Sequence, residues 1–176
     1  MCRHLAYVGR PLALADIVLA PPHSLVVQSY AARELLRGSI SADGFGIGWF
    51  ADDLHAMLRG ALDSETLFLL IVAAVRKAGG DLAEGVRAAL ADVARRAPGS
   101  GLNVLVTDGE TVVATRLAAG IPSDSLHLVP SGRLAPEGTV VASEPLDDDP
   151  AWRPVPDGTM VVLSSVAVPT LTEVAP

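Results

Sequence analysis

Residues 102–115 have the sequence Leu-Asn-Val-Leu-Val-Thr-Asp-Gly-Glu-Thr-Val-Val-Ala-Thr. Two runs rich in β-branched residues flank the pair Asp108-Gly109, and such a pair in this setting is a strong signal for a β-hairpin. Glycine suits the turn because it has no side chain to oppose a positive φ angle. The stretch therefore predicts two antiparallel strands, at residues 102–106 and 111–115.

Further strands are predicted on both sides of this hairpin. Apolar and β-branched runs predict them at residues 1–8, 24–30, 44–50, 139–142, 159–164 and 166–171. The strand at 44–50 alternates glycine with larger apolar residues, so one of its faces is bare backbone. Another chain segment or a ligand can approach such a face closely.

Apolar residues at helical spacing predict helices at residues 11–19, 65–78 and 82–97. Asp63 and Ser64 can cap the second of these, which ends at Gly79-Gly80. Strands, then two helices, then strands predict an α+β fold in which antiparallel sheets pack against helices. The sequence shows no internal repeat and no domain-scale linker, which predicts one domain over residues 1–176.

Composition and charge exclude several classes of partner. Half of the 176 residues are apolar and the mean hydropathy is +0.41, which predicts a packed interior. The net charge of −7 argues against nucleic acid, which would need clustered lysine and arginine. The apolar stretch at 67–75 is too short to cross a bilayer, and Asp16 interrupts the run at 12–20 that would serve as a secretion signal. We therefore expect no membrane association.

The only cysteine, Cys2, cannot form an internal disulfide, so a reducing cytoplasm is the expected location. The histidines are scattered without the spacing of zinc ligands, and no metal site is expected. The acidic run at residues 147–149 lies in a predicted loop at 145–156. Proline on both sides of the run favours a solvated turn over a cation site.

Cys2 is the strongest candidate for a catalytic residue. Removal of Met1, which a small residue at position 2 permits, would leave a thiol and a free α-amine on one residue. The α-amine titrates at roughly pH 8, so a good fraction is neutral in the cell and can take the thiol proton. One residue would then supply both nucleophile and general base. The alternative is an ordinary thiol near a frayed terminus.

Several segments, in order along the chain, are similar to those of one enzyme family. They are Met1-Cys2-Arg3-His4-Leu5-Ala6-Tyr7, Pro21-Pro22-His23-Ser24-Leu25, Ala42-Asp43-Gly44-Phe45-Gly46-Ile47-Gly48-Trp49-Phe50, Leu102-Asn103-Val104-Leu105 and Val141-Ala142-Ser143-Glu144-Pro145-Leu146-Asp147-Asp148-Asp149-Pro150-Ala151-Trp152. With these segments the chain resembles the class II glutamine amidotransferase-like hydrolases of ergothioneine biosynthesis.

The resemblance implies an N-terminal-nucleophile (Ntn) hydrolase fold, an αββα sandwich of two antiparallel sheets between helix layers. It also implies an activity on a small-molecule substrate, the hydrolysis of γ-glutamyl hercynylcysteine S-oxide to glutamate and hercynylcysteine S-oxide. Cys2 would form an acyl intermediate that water then cleaves, with no metal and no cofactor.

The resemblance also implies two substrate-binding residues. Asp63 matches an aspartate that binds the α-ammonium of the glutamyl group, and a partly buried ammonium needs such a partner. Asp63 can equally be a helix N-cap, and both roles can hold together. Gly44 would leave room for substrate beside the nucleophile, or it would serve tight sheet packing, the commoner role of a strand glycine.

Asn103, Ser143 and Glu144 are polar residues on otherwise apolar predicted strands. A polar group that points into a core needs a partner, so these three can support the terminus that carries Cys2. They can equally lie on a solvated face of a sheet.

Two segments of the family pattern are missing. After the glycine-rich strand, family members carry an arginine that binds the substrate α-carboxylate and a His-Asn-Gly segment that forms the oxyanion hole. Here the sequence runs from Asp52 almost directly to Leu58, so several tens of residues are missing near Asp52. The loss of one oxyanion-hole donor costs on the order of 10²–10³ in rate. Arg37 or Arg59 could in principle replace the carboxylate anchor.

The missing segment predicts an incomplete sandwich with exposed sheet edges or an exposed apolar face, which a homo-oligomer could cover.

The chain is then either an active amidohydrolase or a non-catalytic remnant that acts as a binding or interaction domain. Glutamate release and its dependence on Cys2 distinguish these two. A glutaminase-type amidotransferase that passes ammonia to a partner is a third hypothesis, although the chain has no room for a synthase domain.

Overall fold

The computed structural model describes residues 3–34, 63–165 and 167–174. Its elements are β1 (Leu5–Gly9), α1 (Leu14–Val18), α2 (Leu25–Ala31), α3 (Asp63–Lys77), α4 (Leu82–Arg96), β2 (Leu105–Thr107), β3 (Thr111–Arg116), β4 (His127–Pro130), β5 (Gly138–Ala142), β6 (Arg153–Pro154), β7 (Thr159–Ser164) and β8 (Ala167–Glu173). Within the described ranges, no helix combines the length and apolar character that crossing a membrane requires.

The strands form two antiparallel sheets. The first sheet has the strand order β1-β5-β4-β6, and the second has the order β2-β3-β7-β8. The hairpin predicted at residues 102–115 is the β2–β3 pair. In its turn, Gly109 has a φ of 100°, and Asp108 Oδ1 accepts hydrogen bonds from the amides of Glu110 and Thr111.

Alternation along the strands sorts the apolar side chains into three cores. In β3, Val112 and Ala114 point into an inner core between the two sheets, whereas Val113 points to the opposite side, toward α3 and α4. In β5, Val140 points away from the inner core and packs with Ile17 of α1. The layers are therefore α1, first sheet, second sheet, and α3 with α4, which confirms the expected αββα sandwich.

The two longer helices predicted from the sequence are confirmed as α3 and α4. Helix α4 begins after Asp81, whose carboxylate accepts a hydrogen bond from Glu84 N at 2.9 Å. The helices approach closely at Gly85, where an added Cβ would lie 2.6 Å from Val75 N. The contact between the helices therefore requires glycine at position 85.

One predicted strand is wrong. Residues 24–30, whose valines favour a strand, form helix α2 instead. Ser24 caps this helix by accepting a hydrogen bond from Val27 N at 3.4 Å, and buried Gln28 donates to His23 O at 3.0 Å. The cap and the burial of this polar side chain override the β propensity of the two adjacent valines.

Two strands lie where the sequence predicts none. β6 falls within the predicted loop at 145–156, and it pairs with β4, which has no counterpart among the predicted strands. Both are short, so neither gives a clear alternation signal. The strand predicted at 44–50 lies outside the described residues.

Apolar surface is exposed on α3 and on the edge strand β8. Phe68, Leu69 and Leu70 of α3 are 55%, 60% and 45% exposed. Val168 and Leu171 of β8 are exposed as well.

Candidate active site at the polar end of the sandwich

The inner core is apolar along most of its length but gives way to polar residues at one end. On the first sheet, His4 lies two residues before the inward-facing Ala6 of β1, and Ser143 lies two residues after the inward-facing Val141 of β5. On the second sheet, Arg116 ends β3. We call this region the polar end, and it also contains Asn103 and residues 123–125.

Ser143 holds the start of β1. The amide of His4 donates a hydrogen bond to Ser143 Oγ at 2.9 Å, and the amide of Ser143 donates to His4 O at 3.0 Å. These bonds extend the ladder between β1 and β5, in which Leu5 lies opposite Ala142. The backbone two residues after Cys2 therefore has a fixed position.

Glu144 is fully buried, and its carboxylate joins three chain segments. Oε2 lies 2.6 Å from His23 Nε2 and accepts a hydrogen bond from Arg33 N at 2.8 Å. Oε1 accepts a hydrogen bond from Glu34 N at 3.0 Å and lies 3.1 Å from Arg3 Nη1. Both oxygens are thus occupied, as a carboxylate removed from water requires.

Opposing effects act on the pKa of Glu144. Burial raises the pKa, whereas hydrogen bonds from His23 and from the amides of Arg33 and Glu34, together with the charge of Arg3, lower it, and the lowering prevails. Glu144 is therefore ionised at neutral pH, and the Arg3 guanidinium balances its charge.

Asn103 holds the segment that leads into β4. Its Nδ2 donates a hydrogen bond to Asp124 O at 3.0 Å, and its Oδ1 accepts one from Leu117 N at 2.9 Å. Arg116 reaches the same segment, because its Nε donates to Asp124 O at 3.1 Å. Two polar side chains thus tie this loop to the second sheet.

His4 lies at the polar end in its neutral form. Burial lowers the pKa of His4, the charge of Arg3 lowers it further, and the charge of Asp124 acts in the opposite direction with a smaller effect. A neutral imidazole can accept a hydrogen bond or a proton. The polar end therefore offers an acceptor close in sequence to Cys2.

Two of the residues that the sequence singles out contact the start of the described chain, and a third contacts the loop before β4. Ser143 and Glu144 contact residues 3 and 4, and Asn103 contacts the neighbouring residues 124 and 125. Asp63 is the first residue of α3 rather than a cap that precedes it. The residues that lie outside the described ranges are Cys2, Gly44, Arg37 and Arg59.

His23 and Arg116 are site residues that sequence reasoning misses. His23 stands between Pro22 and Ser24, and nothing in that setting indicates that its ring is buried against a carboxylate far along the chain. For Arg116 a signal exists. It follows Val112 and Ala114 at strand spacing, so it shares the inward face of the strand with them.

The acidic run at 147–149 makes turn contacts. Asp147 Oδ1 accepts hydrogen bonds from Trp152 Nε1 at 2.8 Å and from Asp149 N at 3.1 Å. Asp149 in turn accepts one from Ala151 N. Asp147 is buried, so this residue is less solvated than the sequence predicts.

Curated relatives match the chain over nearly its whole length. A protein named gamma-glutamyl-hercynylcysteine sulfoxide hydrolase from Mycobacterium tuberculosis is 31% identical over 234 positions, which cover 98% of this chain and 96% of the relative. A protein of the same name from Mycolicibacterium smegmatis is 29% identical over 227 positions, which cover 92% of this chain and 95% of the relative. No family model matches the chain.

A solved structure also resembles the chain. It is a glutamine aminotransferase class-II domain protein from Silicibacter pomeroyi, with a TM-score of 0.53 and 28% sequence identity. The match covers 67% of this chain and 54% of that structure, so the shared fold spans little more than half of the solved protein.

The alignment also shows that the chain is short for its family. The match to the Mycobacterium tuberculosis protein has 234 positions whereas this chain has 176 residues, so several tens of positions in the relative face gaps. The gaps are internal, because the alignment reaches nearly both ends of each sequence. The number of gap positions agrees with the predicted loss of several tens of residues, and their placement near Asp52 stays a prediction. The chain belongs to the gamma-glutamyl-hercynylcysteine sulfoxide hydrolase family and is a shortened member of it.

Proposed function

We propose that the chain, as one domain over residues 1–176, hydrolyses the γ-glutamyl amide of γ-glutamyl hercynylcysteine S-oxide in the cytoplasm. The observation that carries this proposal is the attachment of residues 3 and 4, which directly follow Cys2, to Ser143 and Glu144. A terminal nucleophile needs such an attachment, because a frayed terminus cannot hold a reacting atom in a productive geometry. The names of the relatives support the choice of substrate.

In the proposed mechanism Cys2 reacts after the removal of Met1. The α-amine accepts the thiol proton, and the sulfur attacks the γ-carbonyl carbon of the substrate. The amide C–N bond breaks, the nitrogen leaves with that proton, and a thioester joins Cys2 to the glutamyl group. Water then gives a proton to the α-amine and attacks the thioester. The C–S bond breaks, glutamate leaves, and the proton returns to the sulfur.

The other residues bind or position in this mechanism. Asp63, at the start of α3, would pair with the α-ammonium of the glutamyl group. Gly44 would leave space beside the nucleophile. Ser143 and Glu144 would position the terminus without touching the substrate, and Asn103 would steady the facing loop.

Glutamate release by the purified chain tests the proposal. Intact mass first establishes that Met1 is absent, and glutamate is then measured during incubation with γ-glutamyl hercynylcysteine S-oxide. We expect release from the unaltered chain and none from Cys2→Ala. Ser29→Ala is a matched control, because among the described residues its hydroxyl bonds only to Val26 O within α2, and it should release glutamate at the unaltered rate. A folded chain without Met1 that releases no glutamate would overturn the proposal.

The internal gap favours a second candidate function. A chain that lacks several tens of the positions present in the named hydrolases can keep the fold and act as a non-catalytic binding domain. Such a chain would bind glutamate or the γ-glutamyl compound without turnover. Its affinity would then be the same in Cys2→Ala.

A further inference from the structure

Arg116 makes all of its hydrogen bonds within the described residues to uncharged acceptors. Its Nε donates to Ser123 Oγ at 3.2 Å and to Asp124 O at 3.1 Å, and its Nη1 donates to Val155 O at 2.7 Å. Within the described part of the chain, no carboxylate forms an ion pair with it. The guanidinium is thus firmly held, and no carboxylate of the described residues balances its charge.

An unbalanced charge at this position favours an anion. Arg116 is half-buried, and a charge withdrawn from water is costly unless an opposite charge compensates it. The buried guanidinium of Arg3 has such a compensation in Glu144. Arg116 keeps both N–H groups of Nη2 without an acceptor among the described residues. A planar guanidinium binds a carboxylate through two parallel hydrogen bonds from two different nitrogens, and the second N–H of Nη1, which also has no acceptor among the described residues, can pair with one of Nη2.

Arg116 lies at the same end of the sandwich as the start of the chain. It alternates with Val112 and Ala114, so its side chain leaves β3 on the face that looks toward the first sheet. The segment that it binds includes Asp124, whose charge acts on His4. An anion held by Arg116 would therefore lie between the sheets, on the side where β1 begins.

A second group of the polar end lacks a partner. Ser125 is 8% exposed, and its Oγ is buried with no hydrogen-bond partner among the described residues. A buried hydroxyl without a partner costs free energy and marks a place for a water molecule or a ligand. The polar end thus contains an unbalanced cation and, beside the segment that it binds, an unused hydroxyl donor. A carboxylate can satisfy both.

We propose that Arg116 binds the α-carboxylate of the γ-glutamyl substrate, with Ser125 Oγ as an additional donor. The assignment rests on the proposed function, since it takes the glutamyl group as the ligand. The neutral acceptors around Arg116 orient its guanidinium before the ligand arrives, which reduces the entropy lost on binding. Compounds with a free α-carboxylate should therefore bind better than their α-amides.

Ligand binding to the Cys2→Ala form of the full chain tests the assignment without requiring turnover. L-Glutamine is compared by calorimetry with L-glutaminamide, in which a neutral amide replaces the α-carboxylate. In Arg116→Met we expect the affinity for L-glutamine to fall by on the order of 10- to 100-fold, the range for a charged hydrogen-bonded contact. The affinity for L-glutaminamide should change little. Arg116→Lys keeps the positive charge but not the paired N–H donors. Its affinity for L-glutamine should lie between those of the unaltered residue and Arg116→Met.

A matched control is Arg153→Met, since Arg153 is exposed on β6, and it should leave both affinities unchanged. Thermal unfolding checks that each variant folds, and Arg116→Gln, which keeps a donor without the charge, serves if Arg116→Met does not fold. If Arg116→Met lowers the affinity for both ligands equally, Arg116 has only a structural role in holding the two sheets together.

A Cys2→Ala chain that binds no L-glutamine would also overturn the assignment. By contrast, glutamine binding that depends on Arg116, in a chain that releases no glutamate when Cys2 is intact, would support the assignment while the proposed hydrolysis fails.

Discussion

Glu144 Oε2 lies 2.6 Å from His23 Nε2, and both side chains are buried. The bond joins the residues before α2 to the end of β5. The same carboxylate contacts Arg3 and the amides of residues 33 and 34. A single side chain therefore fixes the start of β1 and the segment that follows α2.

Glu144→Gln should destabilise the fold and abolish glutamate release. The amide keeps the shape of the side chain but leaves the buried charge of Arg3 without its partner, which costs about 3–5 kcal/mol. Urea unfolding measures the loss. Glu137→Gln is the matched control, because its pair with Arg10 is exposed, and it should cost less than about 1 kcal/mol. Similar losses in the two variants would contradict the prediction.

Acid should weaken the fold partly through Glu144. Its pKa in the folded chain is lowered below the ordinary value of 4.5. The ionised carboxylate therefore contributes stability that is complete above that value and is lost as the pH falls through the folded pKa. The free energies of unfolding of the unaltered chain and of Glu144→Gln, measured against pH, should converge on the acid side. A difference that stays constant below pH 4.5 would contradict this attribution.

His4 should make the free energy of unfolding depend on pH in a second, higher pH range. Its pKa in the folded chain is lowered below the ordinary value of 6.5, so the unfolded chain takes up this proton first as the pH falls. The stability that neutral His4 contributes is complete above 6.5 and is lost as the pH falls toward the folded pKa. His4→Gln should flatten the pH profile of unfolding just below 6.5. An unchanged slope in this variant would show that other groups cause it.

Ser143→Ala should loosen the start of β1. The substitution removes the acceptor of the His4 amide and should cost about 0.5–1.5 kcal/mol, the usual net value of one hydrogen bond. If residues 3 and 4 position Cys2, kcat should fall while KM changes little. Ser29→Ala, which loses only an exposed bond within α2, is the control. A fall in stability without a fall in kcat would make Ser143 a purely structural residue.

Gly85→Ala should destabilise the chain although alanine is the better helix former. The new methyl group would lie 2.6 Å from Val75 N, and overpacking of this kind costs about 1–3 kcal/mol. Helix propensity would offset about 1 kcal/mol of that cost. Thermal unfolding measures the net effect. Ala88→Gly, at an exposed position of the same helix, should cost about 1 kcal/mol through propensity alone. A stabilised Gly85→Ala would show that α3 and α4 move apart readily.

Turn and capping residues in the sequence correctly predict the turns and helix starts that short-range hydrogen bonds determine. Asp108 and Gly109 specify the hairpin turn, and Asp81 caps α4 where the helix was expected. The strand predicted at 24–30 fails for the same kind of reason, because the cap at Ser24 outweighs two valines whose β propensity depends on sheet packing. Propensity is therefore a weaker guide here than capping.

The candidate site is less predictable, because its contacts join distant segments. Polarity on an apolar strand correctly marks Ser143 and Glu144 as residues that need partners, but it does not indicate which partners. Glu144 meets His23, 121 positions earlier, because the pairing of β1 with β5 and the hydrogen bond from His23 N to Leu146 O join distant segments. The alternation of side chains along a strand would have predicted the position of Arg116. It lies two residues after Ala114, so its side chain points to the same inward face.

The pairing of β1 with β5 also orders events in time. Leu5 lies opposite Ala142, so β1 is synthesised well before β5 and has no partner strand until Ala142 has been added. At roughly 5–20 residues per second, synthesis of the intervening residues takes on the order of ten seconds. Docking of residues 3 and 4, on which the proposed role of Cys2 depends, therefore waits until β5 has been made.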